Sequence, residues 1–299
     1  MPQSPLARTY LLILLTTIFW GGTAVAGKLI IQDVPPITAG VFRYGATALL
    51  LLTLFRRQLP DPRTLRTRDR WALFWIGIFG TFLNHTFFFL ALRYAPATHG
   101  ALIPSTTSPV WTMLLAAGRG QERLTALRGV GMALCLVGVV LVVHPERLVT
   151  GDRSTVLFGD VLFLLGGAAW GTYSYLSAVA MRRLSAVSTL AFGMVIGTLF
   201  LIPSALLERP WITLSVAHVS AWGAMVFLIL AGTLLAFLWW NVALSRVGAG
   251  RTAVFTNLVP VFGILLSWLL LGERLAPIQL VGAFLAVAGV MACQQPPAR

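Results

Sequence analysis

The sequence predicts an all-α integral membrane protein in which ten transmembrane helices form two inverted five-helix repeats. Three observations predict this class. Of the 299 residues, 58% are hydrophobic and only 10% are charged, whereas charged residues make up about 25% of a typical soluble domain. Apolar runs near the roughly 20 residues needed to cross a bilayer recur along the chain. One line of sequence also occurs twice, with its copies beginning at Glu122 and Glu273.

Ten apolar runs account for nearly the whole chain. No small-residue cleavage site follows the first run, so we interpret it as a spanning helix and not as a removable signal peptide. The connections are mostly short and leave no room for a soluble domain, so each helix satisfies its own backbone hydrogen bonds. The predicted spans are residues 8–27, 37–55, 72–92, 98–117, 126–143, 157–180, 186–206, 218–243, 252–271 and 277–293.

The basic residues predict how the helices are oriented in the membrane. With the N-terminus in the cytoplasm, fifteen of the 22 basic residues fall in inside segments, six fall in outside segments, and Arg43 lies within the second helix. The positive-inside rule therefore predicts that both termini are cytoplasmic. The formal net charge of +13 is then a topology signal, and we predict no nucleic-acid partner.

The duplicated line divides the chain into two halves, residues 1–150 and 151–299. Each copy has Glu, Arg and Leu, with glycines nine and sixteen residues after the Glu, which are Gly131 and Gly138 in the first copy and Gly282 and Gly289 in the second. Five helices per half is an odd number, so the second half is predicted to be inverted in the membrane. Inverted repeats are typical of secondary transporters, in which the halves exchange conformations. The alternative is that duplication only builds a stable bundle.

Several stretches also resemble a known family. The segment PVFGILLSWLLLGERLAPIQLVGAFLAVAGV from Pro260, its counterpart in the first half, and FWGG in the first helix are similar to the EamA repeats of the drug/metabolite transporter superfamily. The whole chain resembles the bacterial aromatic amino-acid exporters of that superfamily. The resemblance implies a carrier of the cell inner membrane that exports amino acids and related metabolites. Because relatives are also associated with drugs, purines and sugar phosphates, the substrate stays open.

Polar residues inside the predicted helices are the first candidates for a binding site. Arg43, the pair Asn84 and His85, and the hydroxyls of Ser105 and Ser108 lie at a similar predicted depth. Intramembrane ionisable groups usually face a cavity and mark a permeation path. Each group also has an alternative role: Arg43 as a snorkelling anchor, His85 as a neutral core residue, and the hydroxyls as contacts between helices.

Aromatic residues are the second group of candidates. Trp20 and Trp170 occupy matching positions in the two halves, far from the ends of their helices, where interfacial tryptophans usually lie. A pocket of rings with a few hydrogen-bonding groups suits an amphipathic organic solute. The remaining candidates for substrate binding are Tyr44, Trp111, Tyr173 and Asn257.

The acidic residues and histidines limit the chemistry that we predict. All nine acidic residues are expected in loops or at helix ends, which disfavours the efflux of lipophilic cations and leaves His85 as the only buried titrating group. Passive facilitation is equally compatible with this pattern. The four histidines and two cysteines form no metal-ligand or catalytic pattern, so we predict no cofactor and no enzyme. The expected partners are a small solute and the lipid bilayer, and the protein is expected to function as a monomer.

Overall fold

The computed structural model describes residues 5–120, 125–143, 153–213, 218–247 and 255–293. All regular structure within these ranges is helical. The helices are α1 (Pro5–Ile30), α2 (Pro36–Leu54), α3 (Thr67–Gly77), α4 (Asn84–Tyr94), α5 (Ala97–Gly118), α6 (Ala126–Val143), α7 (Arg153–Ala180), α8 (Ala186–Leu207), α9 (Pro210–Thr213), α10 (Val219–Ile229), α11 (Ala236–Val247), α12 (Leu258–Leu271) and α13 (Pro277–Cys293). Short 3₁₀ turns lie at Arg56–Gln58, Pro62–Thr64 and Phe255–Asn257.

Two long helices contain a π-helical turn at matching places in the two halves. Ile78–Leu83 joins α3 to α4, and Leu230–Leu235 joins α10 to α11. Each turn contains a Gly-Thr pair, Gly80-Thr81 in the first half and Gly232-Thr233 in the second. π-Helical turns are rare and frequently lie at functional sites.

Six helical segments in the described ranges are long and apolar enough to cross a membrane. They are Leu6–Ile30, Pro36–Leu54, Thr67–Tyr94, Ser154–Ala180, Ala186–Leu207 and Val219–Trp240. Three shorter apolar helices are Ala126–Val142, Phe255–Leu271 and Pro277–Ala292. The chain is therefore a multi-pass membrane protein by length and composition. Helix α5 lies at a predicted span but is less apolar, because it carries a Pro, Ser and Thr stretch.

The packing pattern of the helices is the same when the two halves are exchanged. Helix α1 packs on α12 and on α10 and α11, while α7 packs on α5 and on α3 and α4. Helix α2 packs on its counterpart α8, and α6 packs on its counterpart α13. The internal repeat in the sequence is thus matched by a repeat in the contacts between helices.

The glycines of the duplicated line pack against each other across the α6–α13 pair. A Cβ placed on Gly138 would lie 2.5 Å from the carbonyl oxygen of Gly282, and one on Gly282 would lie 2.6 Å from that of Gly138. A Cβ on Gly289 would lie 2.5 Å from the carbonyl oxygen of Gly131. Small residues allow helix backbones in a membrane to approach this closely. The repeated motif therefore builds a contact between the two halves.

Candidate functional site

A small cavity lies between the two halves, near the middle of α2 and beside the C-terminal half of α7. Its volume of about 10 Å³ has room for about one water molecule. Four aromatic side chains contribute to its walls: Tyr44 from α2, Trp170 and Tyr173 from α7, and Phe237 from α11. The other lining residues are Ile76, Gly80, Thr81, Thr189, Leu190, Gly193 and Met194. Both halves therefore form the walls of this cavity.

The repeat-related tryptophans both contact the ring of Phe237. The ring centroids of Trp20 and Phe237 are 5.6 Å apart, and those of Trp170 and Phe237 are 5.9 Å apart. Trp170 also lies 4.8 Å from the ring of Tyr173, and Trp20 lies 5.1 Å from that of Trp240. The structure thus joins Trp20, Trp170 and Tyr173 in one aromatic cluster beside the cavity.

The first π-helical turn brings backbone directly against a phenol ring of the cavity. A Cβ placed on Gly80 would lie 2.7 Å from Cγ of Tyr173, so only glycine fits against this ring. The neighbouring Thr81 is 4% exposed and also lines the cavity. The turn therefore fixes the position of Tyr173 relative to the first half.

Arg43 is buried and contacts the second half of the chain. Only 7% of the residue is exposed, and its Nε donates a hydrogen bond to Oγ1 of Thr233 at 2.9 Å. The Thr233 hydroxyl in turn donates to the carbonyl of Leu228, five residues earlier, at 2.7 Å. The guanidinium carbon also lies 4.9 Å from the centroid of the Tyr44 ring. Arg43 thus connects one wall of the cavity to the second π-helical turn.

His85 packs in the core between α4 and α2. Its Nε2 lies 2.9 Å from the carbonyl oxygen of Pro36, and the residue is 1% exposed. Its ring stacks on Phe89 at 4.1 Å and meets the Tyr44 ring edge-on at 5.4 Å. The adjacent Asn84 donates to the carbonyl of Gly166 at 3.1 Å, which links α4 to α7. Neither residue lines the cavity. His85 packs against Tyr44, which does line it, and Asn84 binds α7.

Four other predicted site residues do not line the cavity. The Ser105 hydroxyl donates to carbonyls of its own helix, at Ala101 and Leu102. Ser108 is buried on α5, where α5 packs on α7. Trp111 is 43% exposed and donates to the Thr172 hydroxyl. Asn257 is buried in the 3₁₀ turn before α12.

The expectation that every acidic residue lies in a loop or at a helix end is wrong for Asp160. This residue is 2% exposed inside α7, and its Oδ1 lies 2.8 Å from Nδ1 of His99 on α5, which is also 2% exposed. The predicted span began at residue 157, which placed Asp160 at a helix end. Helix α7 begins instead at Arg153, so Asp160 lies about two turns inside it. The sequence did contain a signal of this longer helix, because Asp160 lies three positions into the predicted apolar span.

Comparison with known proteins identifies the family of this bundle. The profile of the EamA-like transporter family matches residues 7–144 and again residues 157–293. The chain belongs to this family. The match covers both halves and confirms the resemblance to the drug/metabolite transporter superfamily that the sequence indicated.

Relatives of this EamA-like transporter align over nearly its full length. It is 28% identical to "Uncharacterized transporter YyaM" of Bacillus subtilis, covering 94% of this chain and 92% of the relative. It is also 28% identical to a "Probable amino-acid metabolite efflux pump" of Salmonella typhimurium, over 93% and 92% of the two chains. The "Uncharacterized inner membrane transporter YhbE" of Escherichia coli K12 is 27% identical over 94% and 89%. A crystal structure with 20% identity aligns with a TM-score of 0.66 over 96% of both chains, which supports the fold alone.

At one end of the transporter, two glutamates from the second half bind helix N-termini of the first half. Glu208, at the end of α8, accepts a hydrogen bond from the backbone N–H of Thr38 on α2 at 2.7 Å. Glu273, after α12, accepts one from the backbone N–H of Thr98 on α5 at 2.8 Å. Carboxylates are favourable at helix N-termini because the first N–H groups there lack helical partners. These contacts hold the halves together at this end.

At the opposite end, an ion pair beside a wide cleft joins the halves. Nε of Arg183, between α7 and α8, donates to Oδ1 of Asp69 on α3 at 2.8 Å. The cleft has a volume of about 680 Å³, and its walls include Arg57, Arg66 and Ser185. This cleft therefore lies at the end opposite Glu208 and Glu273.

Proposed function

We propose that this transporter is a secondary exporter of amino acids, aromatic and other neutral ones, and of related metabolites, working by alternating access in the cell inner membrane. The observation that carries the proposal is the central cavity, whose aromatic walls come from both halves. Aromatic faces with a few phenol and hydroxyl groups suit an amphipathic solute. The name of the Salmonella relative, a probable amino-acid metabolite efflux pump, agrees with this substrate class.

The proposed topology has ten membrane crossings, with both termini in the cytoplasm and the halves 1–150 and 151–299 inverted relative to each other. Glu208 and Glu273 then lie at the outer end, and the ion pair of Asp69 with Arg183 lies at the cytoplasmic end. The helix contacts support this arrangement, because each contact described above has a matching contact when the two halves are exchanged. The expected partners are the solute and the lipid bilayer, and the expected working unit is the monomer, with no cofactor.

The site must change shape to hold an amino acid. A cavity of about 10 Å³ admits about one water molecule, so the described conformation is too narrow to hold an amino acid. In the alternating-access cycle that we propose, breaking the contacts of Glu208 and Glu273 at the outer end separates the halves. The rings of Tyr44, Trp170 and Phe237 then move apart enough to admit or release the solute.

We also propose that Arg43 binds the substrate carboxylate once the site is open. A carboxylate that sheds water on entering the membrane needs a compensating partner, because uncompensated burial of an ion is costly. The planar guanidinium of arginine binds a carboxylate at two points, which lysine does not do. Arg43 is the candidate because it is buried next to Tyr44, which lines the cavity.

Transport by purified protein in liposomes tests the proposal. The vesicles are assayed with labelled tryptophan, phenylalanine and leucine, together with a purine, a sugar phosphate and a lipophilic cation. We expect the amino acids to cross and to be recovered chemically unchanged, as is expected of a carrier and not of an enzyme. Transport of only the purine, the sugar phosphate or the lipophilic cation would favour the alternative, an efflux carrier for drugs or other small metabolites.

A pair of tryptophan variants connects the activity to the cavity. Trp170→Ala removes a ring from the cavity wall and should reduce tryptophan transport about tenfold, since stacking and burial of one ring contribute on the order of 1–2 kcal/mol. Trp211→Ala is the matched control, because Trp211 is 63% exposed at the surface. Equal transport by both variants would show that the rings only pack the bundle.

A further inference from the structure

A buried histidine–aspartate pair joins the two halves near the outer end. His99 lies in the first turn of α5, and Asp160 lies about two turns inside α7. Nδ1 of His99 and Oδ1 of Asp160 are 2.8 Å apart, with side chains only 3% and 2% exposed. The transport cycle proposed above gives this pair no role, although placing ionisable groups in such a position is energetically costly.

A glutamine on α13 fixes the protonation state of the histidine ring. Oε1 of Gln279 accepts a hydrogen bond from the backbone N–H of Ala276 at 2.9 Å, and its Nε2 donates to the carbonyl of Val142 at 2.8 Å. These partners establish which end of the amide is the donor. Nε2 of His99 lies 3.3 Å from this amide nitrogen, so it must accept a hydrogen bond and carries no proton. The ring proton is therefore on Nδ1, and it is donated to Asp160.

This hydrogen-bond pattern leaves Asp160 without a compensating positive charge from His99. A neutral histidine donates to Oδ1, while Oδ2 is buried and has no hydrogen-bond partner among the described residues. An ionised carboxylate in this position would be a buried and uncompensated charge, which is strongly unfavourable. A proton on Oδ2 makes the pair neutral and removes this cost.

We propose that Oδ2 of Asp160 is a proton-binding site, oriented by His99 and Gln279, which must be loaded for the outer end of the transporter to close. When the outer end is open, the Asp160 carboxylate meets external water. An O–H bond then forms on Oδ2 with a proton from hydronium, which leaves as water. Closure buries the neutral acid, and reopening returns the proton to water as the carboxylate ionises.

The charged groups on the neighbouring elements either bind other partners or are exposed. On α1, the Lys28 ammonium donates to the carbonyl of Ala95 at 3.0 Å. Glu273, after α12, binds the first N–H groups of α5. On α4, Arg93 is exposed. Among the described residues that pack around α5 and α7 at this end, no cation forms an ion pair with Asp160 in place of the bound proton.

Infrared spectroscopy tests the proton directly and needs no substrate. At neutral pH, the wild-type protein should have a C=O band of a protonated carboxylic acid, and this band should be missing from Asp160→Asn. Asp61→Asn is the matched control, because Asp61 lies in an exposed loop, and it should keep the band. If all three proteins have the same spectrum in the C=O region of protonated carboxylic acids, the proposal is overturned.

Labelling covers the case in which Asp160→Asn does not fold. Wild-type protein containing ¹³C-aspartate should have an isotope-shifted acid band at neutral pH. Asp33 and Asp69 should not contribute to it, because their carboxylates accept hydrogen bonds from His218 and Arg183. If the labelled wild-type protein has no isotope-shifted acid band, the proposal is overturned without the need for a variant.

The transport measurement rests on the proposed function, whereas the infrared measurement does not. Net efflux by the wild type should slow as the external pH rises, approaching about tenfold per pH unit, the limit for one required proton. Asp160→Asn imitates the protonated acid, so its efflux should not depend on external pH, while Asp61→Asn should follow the wild type. A shared pH profile for wild type and Asp160→Asn would overturn the proposal. If no solute is transported, the proposed function fails and the infrared result still decides this inference.

Discussion

The α6–α13 contact gives a prediction whose size follows from the structure. Gly138→Ala and Gly129→Ala add the same methyl group to the same helix. A Cβ on Gly138 would meet the carbonyl oxygen of Gly282 at 2.5 Å, whereas a Cβ on Gly129 meets no atom within 4 Å. Alanine is favoured over glycine at both positions, by up to about 1 kcal/mol in a helix interior. The difference between the variants therefore isolates the cost of the close contact.

That cost should lie near the upper end of the range for overpacking. The new methyl group is about 0.9 Å short of ordinary van der Waals contact at 3.4 Å. The atoms that it meets belong to the backbone of α13 and cannot turn away as a flexible side chain would. Overpacking typically costs about 1–3 kcal/mol, so we expect Gly138→Ala to be less stable than Gly129→Ala by about 2–3 kcal/mol.

The assay is thermal unfolding of both variants in the same detergent, followed by the fraction that stays monodisperse. A difference of this size corresponds to about 5–10 °C in the unfolding midpoint. Gly129→Ala should match or slightly exceed the wild type. Equal midpoints for the two variants would refute the inference that the duplicated glycines set the distance between the halves.

Three further predictions follow from the charged residues. A single cysteine beside Arg66 should be shielded from an impermeant reagent added outside intact cells, while one beside Arg274 should react; the reverse pattern would invert the topology. Arg43→Ala should reduce efflux of a preloaded amino acid at least about tenfold, and Arg43→Lys should restore little of it, because the hydrogen bond to Thr233 and the planar fork are both lost. Normal efflux by Arg43→Ala would mean that the arginine is structural. Side-chain and backbone hydrogen bonds from His218 hold the pKa of Asp33 below its usual range. Ionised Asp33 therefore stabilises the folded protein above the unfolded-state pKa, and this stabilisation is lost as the pH falls through the folded-state pKa. The difference in unfolding midpoint between wild type and Asp33→Asn should therefore be largest at neutral pH and vanish in acid, and a constant difference would contradict this assignment.

The helices were largely predictable from local sequence. The predicted span 126–143 coincides with α6 and the span 277–293 with α13, because an apolar run that must cross a bilayer has few alternatives to a helix. The π-helical turns at Ile78–Leu83 and Leu230–Leu235 were not predicted. The second turn contacts the first half through the hydrogen bond of Arg43 to Thr233, and sequence spacing does not reveal such a contact.

The site was predictable in its residue types but not in its arrangement. The matching positions of Trp20 and Trp170 indicated a shared role, and in the structure both contact Phe237. The hydroxyl of Ser105 was expected near a cavity but binds a carbonyl of its own helix. Serine hydroxyls commonly form this local bond, and sequence spacing does not reveal which partner they choose.

The sequence by itself determined the helical membrane class, the duplication and the family resemblance, because composition, hydropathy and repeated motifs are properties of the chain read in order. Only the tertiary structure decided which polar groups meet. Asp160 and His99 are 61 residues apart, and Arg43 and Thr233 are 190 apart. Such pairs form because helices from different halves pack side by side, and the rotation of each helix about its axis depends on all of its neighbours at once.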